Sequence, residues 1–418
     1  MISIVSFSES RGGAAKAAQK IFNAVKRRNI AVQYVVVEKS GNDASVIAPS
    51  RLQFFLHFTK RLIAFFLQKL QISPNSSKHS LNLFSCNATL DAIKDSQLVH
   101  LNWINNETIS LAKLPSITTN IIITLHDEWF YCGSEHSALA SQRPFQGYNR
   151  ANKNVKGIDW DLFVWKQKLM ALHQIKHRLI FTAPSSWIVD RAQHSQLLNG
   201  YDIRLVPNII DTDQFQRVAS SEFLHKFSIP DEVRVIVFGA VYGKNMDLKG
   251  FSLLQEAFKL LAQRVVDKAS ILLVSFGGRY GGCCDYMGFK HIELGYIADT
   301  SHLAQLYSRA TLTVVPSMVE SFGQVAAESL ACETPVLAFN YSGIKDIVYH
   351  QKSGYLAEPF SVEALADGME WILSRDLNEL LQLGVSGRDH IIENFSESVV
   401  IEKLLSIYRE QGVATECV

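Results

Sequence analysis

Short apolar runs rich in β-branched residues recur along the chain, several of them followed by a glycine- or serine-containing turn and then a segment of helical composition. Ile2 to Phe7, Leu98 to Trp103, Asn120 to Asp127 and Arg178 to Ala183 form one series; Val233 to Gly239, Ser270 to Phe276, Ala310 to Val315 and Pro335 to Phe339 form a second. Strands that alternate with helices predict parallel sheets, because a parallel neighbour is reached only through a crossover connection. The expected class is therefore α/β. The length, 418 residues, suits two or three domains with sizeable cores.

Composition excludes several classes of function. A formal net charge of +1 leaves no basic footprint for nucleic acid or for a polyanion held by bulk charge. The six cysteines, Cys86, Cys132, Cys283, Cys284, Cys332 and Cys417, have no C-x-x-C spacing and read as reduced cytosolic thiols. Met1 to Phe7 lacks a basic leader and a long apolar core, and no run approaches the length of a bilayer span. The expectation is a cytoplasmic protein, neither exported nor membrane-spanning.

The chemistry concentrates after the run Ala310 to Val315, in Pro316-Ser317-Met318-Val319-Glu320-Ser321-Phe322-Gly323-Gln324-Val325-Ala326-Ala327-Glu328. This stretch leaves the carboxyl end of a strand and enters a helix, the place where open α/β sheets bind ligands and where free N–H groups favour an anion. Glu320 sits in the turn, within reach of sugar hydroxyls. Glu328 is expected two turns into the helix, placed for vicinal hydroxyls such as those of a ribose. Gly323 has no Cβ, so a phosphate can approach the N–H groups of Ser321, Phe322 and Gly323, with Gln324 beside them. The bland alternative is a capped turn with an exposed glutamate beyond it.

Two further helix starts fit a phosphate. Lys249-Gly250 precedes a helix from Phe251 to Arg264, an ammonium at the end of a helix that disfavours cations unless an anion is bound. Gly12-Gly13 opens a helix reaching Arg27, which geometry alone can also require. Arg279, in the glycine run Gly277 to Gly282, is a further phosphate candidate; that run reads as a mobile loop. His126 and Asp127 end one strand, and His100 and Trp103 belong to another that faces the same crevice. His126 is the candidate for a sugar hydroxyl, and Asp127, His100 and Trp103 are the acceptor-side candidates.

The pattern Glu320, seven residues, Glu328, framed by Pro316-Ser317 and by Glu333-Thr334-Pro335-Val336, resembles the donor-sugar motif of the retaining glycosyltransferases of family 4. More closely, the chain is similar to bacterial members that build colanic-acid-type exopolysaccharides, capsules and O-antigens, over nearly its full length apart from residues 41 to 85. The resemblance implies the GT-B fold, two Rossmann-like domains facing across a central cleft. It places an acceptor-binding domain at 1–206, a donor-binding domain at 207–385, and helices at 386–418 that cross back to the first domain. It implies transfer from a UDP-, GDP- or ADP-sugar to a glycan or polyprenyl-linked glycan. No cofactor and no metal are expected.

By the same resemblance, His126, Glu320 and Lys249 are the catalytic residues, with Lys249 on the donor diphosphate. Tyr296 belongs to a segment that cradles the nucleobase. The family's arginine a few residues before that lysine is absent here, and Lys244 is assigned in its place, without the bidentate fork. The family's several cysteines after the His-Asp pair reduce to Cys132. Rivals are an epimerase or hydrolase on the same scaffold, and a non-catalytic nucleotide-sugar-binding subunit.

Residues 51–70 stand apart, with phenylalanine and leucine mixed with Arg51, Lys60, Arg61 and Lys69 and no acid. The composition fits a helix lying in a membrane interface, which implies peripheral association with the inner face of the plasma membrane. It equally fits an ordinary core helix whose basic residues extend to water.

Overall fold

The computed structural model describes the chain except residues 140, 220, 221, 228, 231, 240–247, 279 and 415–418. It divides into two compact units: Met1–Ile209 together with the chain from Val400 onward, and Ile210–Val399. A boundary expected after residue 206 thus falls after Ile209. The return to the first unit, expected from 386, begins at Val400, because the helix Leu377–Phe395 places Ile391 and Phe395 in the core of the second unit.

Nine strands belong to the first unit: β1 (Ile2–Ser8), β2 (Val32–Glu38), β3 (Val46–Ile47), β4 (Gln71–Ile72), β5 (Leu98–Trp103), β6 (Asn120–Thr124), β7 (Lys156–Gly157), β8 (Leu179–Ala183) and β9 (Ile203–Leu205). Seven of them form a sheet in the order β3-β2-β1-β5-β6-β8-β9, parallel throughout, while β4 and β7 pair antiparallel as a separate ribbon. The second unit contributes β10 (Arg234–Gly239), β11 (Ile271–Phe276), β12 (Tyr280–Tyr286), β13 (Phe289–Leu294), β14 (Leu312–Val315), β15 (Val336–Phe339) and β16 (Gly354–Ala357), in the order β12-β13-β11-β10-β14-β15-β16. Among the described strands of this sheet, only β12 runs antiparallel to its neighbour.

Both sheets start in the middle, wind outward, then cross back to the other side of their first strand. The reversal lies between β1 and β5 in one sheet and between β10 and β14 in the other. Strands covered on both faces carry continuous apolar runs rather than alternation. Thus β1 is buried along its whole length, and its polar Ser3 is satisfied by Ser96 at 2.6 Å. The carboxyl-terminal helix Glu397–Glu410 completes the first unit, packing Ile401, Leu404 and Tyr408 with Ile2, Ile4 and Leu98.

Three expectations are corrected. The Gly277 to Gly282 run is not a mobile loop over its length: Tyr280–Tyr286 is an edge strand, joined to β13 through Met287 and Gly288, whose positive φ values of 59° and 86° suit a two-residue hairpin turn. The segments Tyr341 to Ile344 and Ser353 to Leu356 together read from sequence as finishing the sheet; the second does so as β16, whereas Tyr341 leads into a 3₁₀ turn at Ser342–Asp346. The helix Arg51–Gln68, begun by a capping box of Ser50 and Gln53, is not an ordinary core helix. Its buried residues are His57 and Ala64, while Lys60 turns inward to the Ser85 carbonyl at 2.9 Å and Arg61 to Glu38 at 3.2 Å.

Candidate active site

The loop after β14 and the loop before the helix Phe251–Arg264 meet where the second sheet reverses. Glu320 is fixed through its backbone: its N–H donates to Ser342 Oγ at 3.0 Å, and its carbonyl accepts from Gly343 N–H at 2.9 Å. Its carboxylate then reaches Lys249 Nζ at 2.6 Å. The pair is partly open, with side-chain exposures of 40% for Lys249 and 20% for Glu320. Two residues expected to act together, 71 positions apart in sequence, are in contact.

Glycine makes that meeting sterically possible. Gly250 has φ of +66°, and a Cβ there would lie 1.9 Å from the Pro316 carbonyl oxygen. Beside it, Met318 N–H donates to the Leu248 carbonyl at 2.9 Å, tying the two loops together. A Gly250→Ala substitution is expected to lower stability by about 1–3 kcal/mol through strain at this one residue. Because it forces the two loops apart, it is also expected to weaken binding of an anionic ligand at this site, with a nucleotide sugar as the probe. Urea unfolding and donor titration on the same preparation measure both effects, and unchanged values would show that the loops tolerate separation.

Gly323, with φ of +111°, caps the helix Gln324–Ala331, and the intrahelical ladder starts with Ala327 N–H donating to the Gly323 carbonyl at 3.0 Å. The N–H groups of the preceding turn have no acceptor within the helix, and no acidic side chain occupies that turn. The Phe322 ring is buried, edge-on to Phe395 at 5.6 Å, so this residue offers a ligand its N–H and not its ring. Ser321 is partly exposed beside it. Glu328 is the fifth residue of the helix, little more than one turn in rather than two, and Gln324 Nε2 donates to it at 2.7 Å. Tyr296 exposes its side chain, 73% accessible, next to Gly295, whose carbonyl accepts from Gly277 N–H at 2.8 Å. Lys244 and Arg279 lie outside the described residues.

In the first unit, Gly12 (φ +95°) and Gly13 open the helix Gly13–Arg27 with nothing within 4 Å of where a Cβ would stand. The first turn holds no acid, so its N–H end is open to an anion. His126 lies just past β6. Asn102 Oδ1 accepts from its Nε2 at 2.9 Å, which sets the tautomer and leaves Nδ1 as an acceptor for a hydroxyl. Burial pushes its pKa down to about 4, against a smaller opposing pull from Asp127, so the ring is neutral at physiological pH.

Asp127 serves its own loop. It accepts from Trp103 Nε1 at 3.2 Å and Trp129 N–H at 2.9 Å, and pairs with His136 at 2.6 Å. Burial alone would raise its pKa, but the His136 ring and these hydrogen bonds hold it down at about 2. Trp103 is partly exposed under Lys78, whose Nζ sits 4.0 Å above the ring. His100, expected on the acceptor side, is corrected. It points into the core from mid-strand, fully buried, with one ring nitrogen 2.7 Å from Tyr408 Oη and the other 2.7 Å from Thr124 Oγ1. No nitrogen is left for an acceptor.

Behind the His126 loop lies a buried network that sequence reasoning missed. Lys168 Nζ donates to the carbonyls of Trp129, Cys132 and Gly133, and burial depresses its pKa to about 7. His79, Glu135 and Asp161 bring one donor atom each within 4.8 Å of one another, a possible metal triad by count. The Asp161 carboxylate is already engaged by Gln71, Ser134 and, at 3.4 Å, Arg143. Arg143 pairs with the Asp161 carboxylate and Lys168 lies close by, so the cluster's carboxylates are met by the protein's own basic groups. The described residues between 135 and 160 are stitched down by these contacts, including Arg143 to Asp159 at 2.9 Å and Tyr148 to Glu135.

Two doubly wound units, each with its polar and glycine-rich loops at the sheet reversal, define the GT-B fold, and solved structures bear this out. Sucrose-phosphate synthase from Thermosynechococcus elongatus superposes with a TM-score of 0.65 at 20% identity, covering 98% of each chain. Anabaena Alr3699/HepE in complex with UDP-glucose does so with a TM-score of 0.62 at 15% identity, covering 98% of this chain and 99% of that one. Residues 221–390, most of the second unit, match the family model of glycosyl transferases group 1. Among curated relatives, N-acetyl-alpha-D-glucosaminyl L-malate synthase of Bacillus anthracis is 23% identical over 232 residues, 55% of this chain and 59% of the relative. The chain spans about half the length of the curated relatives it matches.

Proposed function

We propose that the protein is a retaining glycosyltransferase of the family 4 type. It moves a sugar from a UDP-, GDP- or ADP-sugar to a hydroxyl of a glycan, carried on a polyprenyl lipid at the inner face of the plasma membrane, in cell-surface polysaccharide assembly. The observation that carries the reading is the Lys249–Glu320 pair, 2.6 Å apart at the reversal point of the second sheet and beside the open amino terminus of a helix. An ammonium and free N–H groups suit a diphosphate, and a carboxylate suits sugar hydroxyls. The family match over this unit and the UDP-glucose bound by the Anabaena neighbour support a nucleotide-sugar donor.

In the proposed step, the acceptor oxygen bonds to the anomeric carbon on the face that the diphosphate leaves. The bond from that carbon to the phosphate oxygen breaks with its electron pair going to the diphosphate, and a diphosphate oxygen takes the acceptor's proton. Lys249 neutralises the charge that develops on the leaving group. His126 accepts from a substrate hydroxyl through Nδ1. Lys249 and the helix amino terminus take the place of a divalent ion, so EDTA is expected to leave the turnover rate unchanged. Loss of activity in chelator with recovery on adding magnesium would overturn that part.

The deciding experiment is a thermal-shift and turnover screen against UDP-, GDP- and ADP-sugars with and without a polyprenyl-linked glycan. One donor is expected to stabilise the protein and to release its nucleotide faster when the acceptor is present. Nucleotide release indifferent to acceptor would indicate a hydrolase or epimerase. Binding without turnover would indicate a non-catalytic subunit.

A further inference from the structure

The helix Arg51–Gln68 presents its apolar stripe to solvent. Leu52, Phe55, Leu56, Ile63, Phe65 and Phe66 are each more than half exposed. Most of them fall on the i, i+3, i+4 repeat of one helical face. The patch does not stop at the helix. Leu70 and Ile72 extend it onto β4, Ile158 continues it beside β7, and Trp160, whose Nε1 donates to the Leu67 carbonyl at 2.7 Å, brings in Phe163 at a ring distance of 5.5 Å. A soluble surface rarely leaves an apolar area of this size uncovered.

The charge around it has one sign. No aspartate or glutamate occurs from residue 44 to 90 or from 162 to 189. Asp159 and Asp161, the acids next to Ile158 and Trp160, are engaged by Arg143. The exposed ionic groups along the face are Arg51 and Lys69 at the two ends of the helix, Lys156 on β7 and Lys166 on the helix Trp160–Ile175. Lys60 and Arg61 are spent inward, which holds the helix to the body of the unit with its phenylalanines turned out. No helix among the described residues is long and apolar enough to cross a membrane. An 18-residue helix lying flat offers instead a stripe about 27 Å long.

We propose that this face docks on an anionic lipid bilayer, with the aromatic and aliphatic side chains entering the headgroup–acyl boundary and the flanking cations meeting lipid phosphates. The occupant is a lipid surface because the stripe offers hydrocarbon and aromatic rings within a rim of cations only, which complements anionic headgroups. The inference stands apart from the catalytic reading, since binding to lipid requires no donor.

The test is sedimentation of the full chain with vesicles of phosphatidylcholine alone and with added phosphatidylglycerol, comparing wild type, Phe55→Ser/Phe66→Ser and Arg51→Glu/Lys69→Glu. These side chains are exposed, so circular dichroism and donor-induced thermal shift should match wild type. Wild type is expected to bind phosphatidylglycerol vesicles, and each double variant to bind at least about tenfold more weakly. Binding that is equal for all three proteins, or absent for wild type, overturns the proposal. So does a wild-type dimer in analytical ultracentrifugation that the phenylalanine variant dissolves, because the face would then be covered by a second copy of the chain.

Discussion

Replacing Lys249 with alanine is expected to lower kcat/KM for the donor by two to three orders of magnitude, roughly the loss caused by removing one preorganised charge-stabilising donor. The lysine stands immediately before Gly250 and the helix Phe251–Arg264, where the helix dipole opposes a cation, and Glu320 pairs with it. On the proposed function, an incoming diphosphate is a stronger partner for the ammonium, and its arrival would release Glu320 to accept from hydroxyls, so that one ion pair separates into the two contacts a donor needs. Glu320→Gln keeps the shape of the side chain and loses the charge, and its effect is expected to be smaller and to differ between donor sugars. Stability should hardly move in either variant, since a partly exposed pair contributes at most about 1 kcal/mol. Thermal unfolding beside steady-state kinetics separates the cases. A variant that unfolds several degrees lower but turns over normally would mark the pair as structural.

What local sequence could reveal about this site had a limit set by distance along the chain. The strand Leu98–Trp103 and the helix Phe251–Arg264 were legible to the residue, because an apolar β-branched run and a glycine followed by helix formers are local signals. The strand Tyr280–Tyr286 was not: glycine and aspartate are weak strand formers, and an edge strand is made by its neighbour β13. Glu320 and Lys249 were each legible as helix-start chemistry, but no local pattern could show that Gly250 packs on Pro316 or that Ser342 fixes Glu320. The same limit misplaced His100. A histidine in a strand near a crevice looks functional until its tertiary partners, one of them Tyr408 from the far end of the chain, account for both nitrogens. For the helix Arg51–Gln68 the composition announced an amphipathic element without saying which face turns inward. Lys60 and Arg61 found an acceptor and an acid on the unit's surface, which decides it.

His100→Gln is expected to be less stable than wild type at pH 7.5 and to draw level with it, or pass it, by pH 4. Burial pushes the pKa of His100 down to about 3, so the folded protein keeps the ring neutral where the unfolded chain, with an ordinary histidine value near 6.5, takes up a proton. The sign follows from linkage. A base whose folded pKa is depressed gives stability that is complete above pH 6.5 and is lost as pH falls toward 3, on the order of 3 kcal/mol by pH 4. Whole-protein acid titration would blur this, because burial raises Glu107 and Glu135 to about 7 and those groups gain stability over the same range. The difference between wild type and a variant that cannot titrate isolates the single ring. At pH 7.5 glutamine lacks the reach to serve both Tyr408 and Thr124, which costs about 1–3 kcal/mol for a buried partner left alone. Throughout, acceptor KM should stay at the wild-type value, since the ring touches only protein. A raised acceptor KM with unchanged stability would instead return His100 to the substrate.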